Sequence, residues 1–438
     1  MSLIVLGGLL AVQATRAPAA SAARSFAPDQ VLVHYRGDPG ETRVKVPPDE
    51  SVAGTVARLR EDPAVDYAHP DYLVRAARFW PNDPGSAGRG RWYRDQWNFL
   101  SPTRVPGGIG MPGGWQRAIW DSSPGGQGVT VAVLDSGVAY RKKGRRFRRD
   151  PDLPPRKRFV DPKDLVDGDR IPLDRDGHGT HVASTIAQTT DNGLGLTGIA
   201  YGARIMPIRV LNRRDVGKGS DVAKGIRFAT RHGADVINLS IEFEPTVRHC
   251  RQIRSVCDAI RGATDRGVTV VASAGNHDEP RVAYPAAAHG AIAVGATTYR
   301  GCSADYSDYG NRLDLMAPGG GTDKTKAETN DRGCRPSAPG YEVRQYSLLP
   351  TAARNGNYRK FGIVGRRGTS MAAAHVSGVA ALLIADGVCG PHPTPSTVAQ
   401  RLEDSAVDRG SRGRDDMYGH GLVDAARATN PRDACRRK

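Results

Sequence analysis

From Gly128 onward, short apolar stretches rich in β-branched residues alternate with longer stretches whose apolar residues recur at helical spacing. The short stretches predict buried strands and the longer ones predict helices. Regular alternation of the two is typical of a parallel sheet covered by helices on both faces, so we expect a three-layer α/β fold. The predicted strands are 129–135, 204–211, 236–241, 268–274 and 291–295, and the predicted helices are 178–189, 220–232, 251–266, 370–385 and 396–404.

Residues 26–79 follow a different pattern, which predicts a separate small α+β domain. Val31–Tyr35 alternates like a strand, Ser51–Arg60 has helical spacing, and Val65–His69 is a second candidate strand. The segment Trp80–Pro84 and the Gly- and Arg-rich residues after it predict a linker to the rest of the chain.

Residues 1–23 have features of a signal peptide. The apolar run Leu3–Val12 is followed by small residues and by Ala20-Ser-Ala22, which resembles a signal peptidase site. No Lys or Arg precedes the run, which is unusual, and an apolar tail that stays on the protein is the alternative. Because the run is too short to span a bilayer, we expect secretion and no stable membrane insertion.

The six cysteines are an even number, as is common in exported proteins. Their spacing contains no C-x-x-C pair, which argues against a zinc site. Six cysteines can pair in many ways, and the sequence leaves the pairing open. Nearest-neighbour pairing is our expectation, with Cys250 bonded to Cys257, Cys302 to Cys334 and Cys389 to Cys435.

The formal net charge of +16 is distributed unevenly. Arg141–Arg158 contains ten Lys or Arg and two Asp, and its prolines argue against regular structure. We predict an exposed basic loop. It is either simply solvated or attracted to acidic polymers and anionic surfaces. Without a base-reading motif, the charge alone does not predict a nucleic-acid partner.

Three residues with catalytic potential stand at the ends of predicted elements. Ser370 follows Gly368 at the start of a helix, where free backbone N–H groups favour a developing negative charge. Asp135 ends a predicted strand, and His178 begins a helix. Taken singly, each could merely cap a turn or a helix. Together they supply a nucleophile, a base and a group that orients the base.

The motifs that carry these residues resemble those of subtilisin-like serine proteases, the subtilases. They are Val131-Ala-Val-Leu-Asp-Ser-Gly137, His178-Gly-Thr-His-Val-Ala183 and Gly368-Thr-Ser-Met-Ala-Ala373, in the chain order Asp, His, Ser that subtilisin has. Similarity extends over nearly everything after about residue 80. Ala374 stands where the family generally has Pro, and Ser184 stands where Gly is usual.

The resemblance implies a serine endopeptidase whose nucleophile is Ser370, with His178 as base and Asp135 as its partner. Asn276 would donate its side chain to the oxyanion, whereas His181 and His375 would only pack. Substrate would bind as an extended strand. The implied substrate-binding residues are Gly217, Gly219, Ser240, Glu242, Ala274 and Gly275.

Glu242 departs from the family pattern, which has Gly at this position beside the primary specificity pocket. A carboxylate there, together with Asp278 and Glu279, would favour basic or small residues before the cleaved bond. This is a hypothesis about substrate preference and not about the reaction itself.

The family pattern also implies an autoprocessed precursor in which residues 24–79 are an inhibitory propeptide and residues 80–438 are the peptidase domain, acting on polypeptides as a monomer. The chemistry would need no cofactor, but structural calcium is common in the family. Asp191–Leu196 resembles one calcium loop, although a plain Asn-Gly turn explains it equally well; a second acidic run covers residues 161–169. The possible ligands in the first loop are Asn192 and the backbone carbonyls of Leu194 and Leu196.

Two other function classes compete with the protease. A catalytically inactive relative could bind partners through its basic loop, but the intact catalytic motifs argue against it. A serine esterase of the α/β-hydrolase type would have the chain order Ser, Asp, His and a Gly-x-Ser-x-Gly motif around its serine, which Ser370 lacks.

Overall fold

The computed structural model describes residues 26–72, 80–111, 124–431 and Cys435. The chain divides into two compact units, Met1–Arg78 and Phe79–Lys438. Within the described residues, no helix has the length and apolar character needed to cross a membrane. The predicted signal peptide, residues 1–23, lies outside the described part of the chain.

The first unit is a three-stranded antiparallel sheet covered by one helix. Strand β1 (Phe26–Tyr35) lies between β2 (Thr42–Lys45) and β3 (Val65–Tyr72). Helix α1 (Val52–Arg60) begins after Ser51, whose side chain accepts a hydrogen bond from Gly54 N. The unit has its own small core, made by Val31, Val33, Val52, Val56, Leu59, Val65 and Ala68.

The second unit is built on a seven-stranded sheet in which every pairing is parallel, in the order β10-β9-β8-β7-β4-β6-β5. Strand β4 lies inside the sheet, between β7 and β6. A separate antiparallel pair, β11 and β12, stands apart from this sheet. The strands are β4 (Thr130–Asp135), β5 (Lys163–Asp164), β6 (Arg204–Arg209), β7 (Val236–Leu239), β8 (Thr269–Ser273), β9 (Ala291–Thr297), β10 (Leu315–Pro318), β11 (Val343–Leu348) and β12 (Phe361–Arg366).

Helices cover both faces of this sheet. Alternate residues of β4 point to opposite sides, Val131 and Val133 into one core and Ala132 and Leu134 into the other. The first core is completed by α2, α7 and α8, and the second by α3 and α4. The predicted three-layer α/β class is therefore confirmed. The helices are α2 (His178–Ala187), α3 (Gly219–Arg231), α4 (Arg254–Thr264), α5 (Lys326–Thr329), α6 (Pro350–Arg354), α7 (Thr369–Ala385), α8 (Pro395–Ser405) and α9 (Ala425–Ala428).

Helix α7 corrects one sequence-based expectation. In the sequence, Val376, Val379, Ala380 and Leu383 recur at helical spacing, which predicts burial along a single stripe. In the structure every residue from Met371 to Leu383 is buried. The helix runs through the core of one layer and contacts β7, β8, β9 and β10 on one side and α2 on another. Its many alanines and Gly378 allow this close approach; a Cβ on Gly378 would lie 2.8 Å from Ile199.

The predicted linker is also corrected. Pro81 and Asp83 are buried, and the Asp83 carboxylate accepts hydrogen bonds from Asp191 N and Asn192 N. Gly193 N donates to Asn82 Oδ1. Trp80–Pro84 is therefore an ordered part of the second unit and not a free connection.

The three disulfides follow the expected nearest-neighbour pattern. Cys250 is bonded to Cys257, Cys302 to Cys334, and Cys389 to Cys435. The basic segment 141–158 is mostly exposed, as predicted, and Phe147 stacks on Tyr358 with ring centroids 4.6 Å apart.

Candidate active site

Asp135 is the last residue of the interior strand β4 and is completely buried. Its Oδ1 accepts hydrogen bonds from Ser136 N and from Nδ1 of His178, which lies 2.8 Å away. Gly179 makes this approach possible, because a Cβ there would lie 2.9 Å from Oδ1 of Asp135 and 2.2 Å from the carbonyl oxygen of Gly137. The start of helix α2 can thus sit directly over the strand end.

The loop before His178 is organised by Asp174, a buried carboxylate that accepts hydrogen bonds from Ser136 Oγ, Gly177 N and Thr180 N, among others. Gly177 then turns the chain into helix α2 with a positive φ of 111°. The sequence motifs did not single out Asp174, although it fixes the loop that presents His178.

The His178 side chain is mostly buried, with 14% exposed. Burial by itself lowers the pKa of His178, but the charge of Asp135 and the hydrogen bond to it outweigh burial, so the pKa is raised. An imidazole held in one tautomer by a carboxylate leaves Nε2 as the acceptor for a proton. His178 is therefore arranged as a general base.

The two other histidines of the motifs are buried and neutral in character. His181 Nε2 lies 3.2 Å from the carbonyl oxygen of Val343, and burial lowers its pKa well below the usual value. His375 lies between the carbonyl of Met371 and the side chain of Asn98, and burial lowers its pKa to about 4. Both contact the core rather than the cleft.

Ser370 is the second residue of helix α7 and follows Gly368, which has a positive φ of 146°. Its Oγ donates a hydrogen bond to the carbonyl of Ser240 over 3.3 Å, and its own carbonyl accepts one from Ser240 Oγ. In the described structure this hydroxyl is thus not hydrogen-bonded to His178, although both side chains line the same cleft. A rotation about χ1 of Ser370 would redirect the hydroxyl.

Asn276 follows strand β8 and has a fixed side-chain orientation. Its Oδ1 accepts hydrogen bonds from Thr369 N at 2.9 Å and Thr369 Oγ1 at 3.1 Å. Because a backbone N–H can only donate, the amide must turn Nδ2 the other way. That nitrogen lies 3.4 Å from Glu242 Oε2, at the edge of a distance for a hydrogen bond, and Asn276 lines the cleft.

The cleft has a volume of about 360 Å³, and most of the predicted site residues line it. A larger cavity of about 570 Å³, near Asp95 and Arg344, contains no Ser–His pair among its lining residues. Ala274 and Gly275 do not line the cleft and are buried beneath it. The predicted residues on its wall are His178, Gly217, Gly219, Ser240, Glu242, Asn276 and Ser370.

The acidic groups of the cleft differ from those expected. Glu242 is on the wall as predicted, and its Oε2 accepts a 2.8 Å hydrogen bond from Asn276 N. Asp278 instead forms an ion pair with Lys324, and neither Asp278 nor Glu279 lines the cleft. Asp215, which the sequence did not single out, lies on the wall with His178.

The loop with the candidate calcium ligands lies over three buried carboxylates. Asn192 Nδ2 donates to Asp152 Oδ1, and Leu196 N donates to Asp152 Oδ2. Burial raises the pKa of Asp152 to about 8, that of Asp150 to about 7 and that of Asp83 to about 6. Within the part of the chain that the structure describes, Oδ2 of Asp150 is buried without a hydrogen-bond partner. Carboxylate oxygens suit a hard divalent cation, but these three carboxylates are not among the described groups whose ligand atoms lie within 4.8 Å of one another.

Two other groups of residues are candidate metal sites, and they differ in whether their carboxylates are already paired with a cation. In the acidic run 161–169, Asp164 and Asp167 form ion pairs with Arg209, so these carboxylates are already neutralised. Beside the cleft, Glu242, His277 and Asp308 place one ligand atom each within 4.8 Å of one another. That group could hold a divalent cation.

A protein-family model and individual relatives are both similar to this chain. The family model described as the subtilase family matches residues 126–421. A thermophilic serine proteinase of Bacillus sp. (strain AK1) is 32% identical over 337 residues, which is 77% of this chain and 67% of the relative. Subtilisin Savinase of Lederbergia lenta is 34% identical and covers 69% of this chain and 91% of its own.

A solved protease structure is also similar to this chain. A protease from Pseudoalteromonas arctica PAMC 21717 superposes with a TM-score of 0.63 and 28% identity, over 80% of this chain and 99% of the other.

Proposed function

The chain belongs to the subtilase family and is a serine-type endopeptidase that acts on polypeptides, and we propose that Asp135, His178 and Ser370 carry out its peptide-bond hydrolysis. The observation that carries this proposal is one cleft lined by His178, with its imidazole on Asp135, by Ser370 and by Asn276.

In this mechanism Ser370 Oγ attacks the carbonyl carbon of the substrate, while Nε2 of His178 accepts its proton. His178 then gives the proton to the leaving amine, and an acyl-enzyme remains. Water, activated by the same imidazole, hydrolyses that ester and regenerates Ser370. Asp135 keeps the imidazole in the required tautomer and offsets the positive charge that it acquires.

Asn276 Nδ2 and the backbone N–H of Ser370 would stabilise the oxyanion of the tetrahedral intermediate. The two hydrogen bonds from Thr369 to Asn276 Oδ1 support this role, because they hold the amide in place before substrate arrives. A donor that is already oriented costs no reorganisation at the moment of reaction. Gly217, Gly219 and Ser240 would flank the extended substrate.

We further propose a secreted, monomeric enzyme that is made as a precursor, with residues 1–23 as signal peptide and residues 24–79 as inhibitory propeptide. A first unit with its own core supports a propeptide that folds as a domain. Three disulfides support an oxidising destination. Because Trp80–Pro84 is packed into the second unit, the processing site would precede Trp80.

The reaction itself needs no cofactor. We propose that structural calcium binds through Asp152 and Asp150 with the carbonyls of Leu194 and Leu196, while Asn192, the remaining candidate, donates to Asp152 Oδ1 and holds that carboxylate in place. Such an ion would compensate the buried negative charge and fasten the loop 191–196 to the body of the domain.

Expression of the full chain beside a Ser370→Ala variant tests the function. The wild type should hydrolyse casein and lose its first unit, as determined by N-terminal sequencing, and the variant should do neither. A processed and folded wild type without activity on any polypeptide would contradict the proposal and would favour a binding protein of subtilase shape.

A further inference from the structure

The cleft is acidic although the chain carries a net charge of +16. Its lining includes the carboxylates of Asp215, Glu242 and Glu244, and Lys218 is the only Lys or Arg among the described residues that line it. A cleft whose charge opposes that of the whole protein concentrates ligands of positive charge at the site. Cationic peptide segments are therefore the expected ligands.

Glu242 stands on the oxyanion side of the cleft. One oxygen, Oε2, accepts the 2.8 Å hydrogen bond from Asn276 N, which anchors the carboxylate beside the candidate oxyanion donor. The other oxygen, Oε1, has no hydrogen-bond partner in the described part of the chain. The side chain is 26% exposed, so that a substrate group can reach it. Glu242 is thus held in position with one acceptor free.

Asp215 lines the same cleft, together with His178. Asp215 is exposed to solvent in the cleft, so that a substrate group can reach it. Among the described residues, Asp215 forms no ion pair with a Lys or Arg. A substrate cation would supply the partner that this carboxylate lacks among the described residues.

An extended substrate would meet the two carboxylates in succession. The residue whose carbonyl carbon Ser370 attacks directs its oxygen toward Asn276, which brings its side chain to the wall of Glu242. Successive side chains of an extended chain point to opposite sides, so the preceding residue faces His178 and Asp215. We propose that the cleft selects peptides that have two consecutive basic residues before the cleaved bond. Glu242 would bind the Lys or Arg immediately before the bond, and Asp215 would bind the basic residue that precedes it. This inference rests on the proposed function and names its substrate class.

The test uses fluorogenic peptides that differ only in the two residues before the leaving group: Leu-Leu, Leu-Arg and Arg-Arg. The processed wild type should cleave Leu-Arg at least about tenfold faster than Leu-Leu in kcat/KM, since charge-assisted hydrogen bonds have that strength. Arg-Arg should be cleaved faster still. Ratios are the readout, because a general loss of activity cancels in them.

Isosteric neutral variants separate the two positions. Glu242→Gln should lower the ratio of Leu-Arg to Leu-Leu about tenfold or more. Asp215→Asn should lower the ratio of Arg-Arg to Leu-Arg and leave the first ratio unchanged. Asp416→Asn, which removes an exposed carboxylate outside the cleft lining, is the matched control and should change neither ratio.

A wild type that prefers Leu-Leu, or ratios that survive both substitutions, would overturn the inference while the protease activity stood. If no peptide were cleaved and Ser370 did not react with a fluorophosphonate, the proposed function would fail, and the inference would fail with it.

Discussion

The imidazole of His178 and the carboxylate of Asp135 meet across the start of helix α2 and the end of strand β4, with 2.8 Å between Nδ1 and Oδ1. The carboxylate is buried completely, and its second oxygen, Oδ2, has no hydrogen-bond partner among the described residues. The interaction is therefore shielded from water. In such surroundings the charge of Asp135 acts strongly on the imidazole.

Replacing this carboxylate should nearly abolish turnover. We expect Asp135→Asn to lower kcat by roughly 10⁴-fold, because an amide can hold the ring in the wrong tautomer. Steady-state kinetics on a peptide amide measures the effect, and circular dichroism checks the fold. If kcat fell only a few fold in a folded enzyme, Asp135 would not be the partner of the base.

The pH dependence of kcat/KM should reflect the raised pKa of His178. The base must be neutral to accept a proton, so kcat/KM should rise as the pH passes the pKa of His178. The midpoint of this rise should lie above the usual histidine pKa of about 6.5. Since Asp135 raises the pKa, the residual activity of Asp135→Asn should show its rising limb at lower pH. A midpoint that did not move in the variant would contradict the electrostatic role of Asp135.

Asn276 should act on the transition state and little on binding. Asn276→Ala is expected to lower kcat about 10²- to 10³-fold with KM nearly unchanged. Asn311→Ala, at an exposed position, is the control and should retain full activity. A rise in KM with kcat unchanged would instead indicate that Asn276 binds the ground state and the transition state equally.

Calcium should stabilise the folded enzyme through the carboxylates near residues 83 and 150–152. Ca²⁺ present at about 100 times its Kd would stabilise the fold by about 2.7 kcal/mol, which raises Tm measurably, and EDTA should reverse the effect. Asp152→Asn should lose most of this response. Asp416→Asn should keep it, and an identical response of both variants would place the ion elsewhere.

Five strands of the seven-stranded sheet, β4 and β6 to β9, could be predicted from the sequence because they are short, apolar and buried on both faces. The two edge strands were not predicted: β5 has only the two polar residues Lys163 and Asp164, and β10 has only four residues. The pair β11 and β12 could not be predicted either. In β11 the inward positions are Val343, Gln345 and Ser347, so polar side chains are buried and the apolar alternation is broken. Gln345 accepts a hydrogen bond from Gln96, which no local pattern reveals.

The candidate active site likewise contains residues that the sequence indicates and residues that it does not. Asp135, His178 and Ser370 stand in long motifs at the ends of predictable elements, so the sequence alone indicated them. Asp174 and Asp215 lie in loops whose conformation depends on tertiary contacts, so no local sequence pattern indicates them. Ser184, which departs from the family, has a structural explanation: its hydroxyl donates to the carbonyl of Tyr346 and ties helix α2 to β11.

Covalent labelling of Ser370 tests the central claim most directly. The processed enzyme is treated with a fluorophosphonate, and the modified residue is located by mass spectrometry of its peptides. We expect a single adduct on Ser370, formed far more slowly in His178→Ala. A folded, processed protein that remained unmodified at Ser370, or that was labelled there at the same rate without the imidazole, would contradict the account.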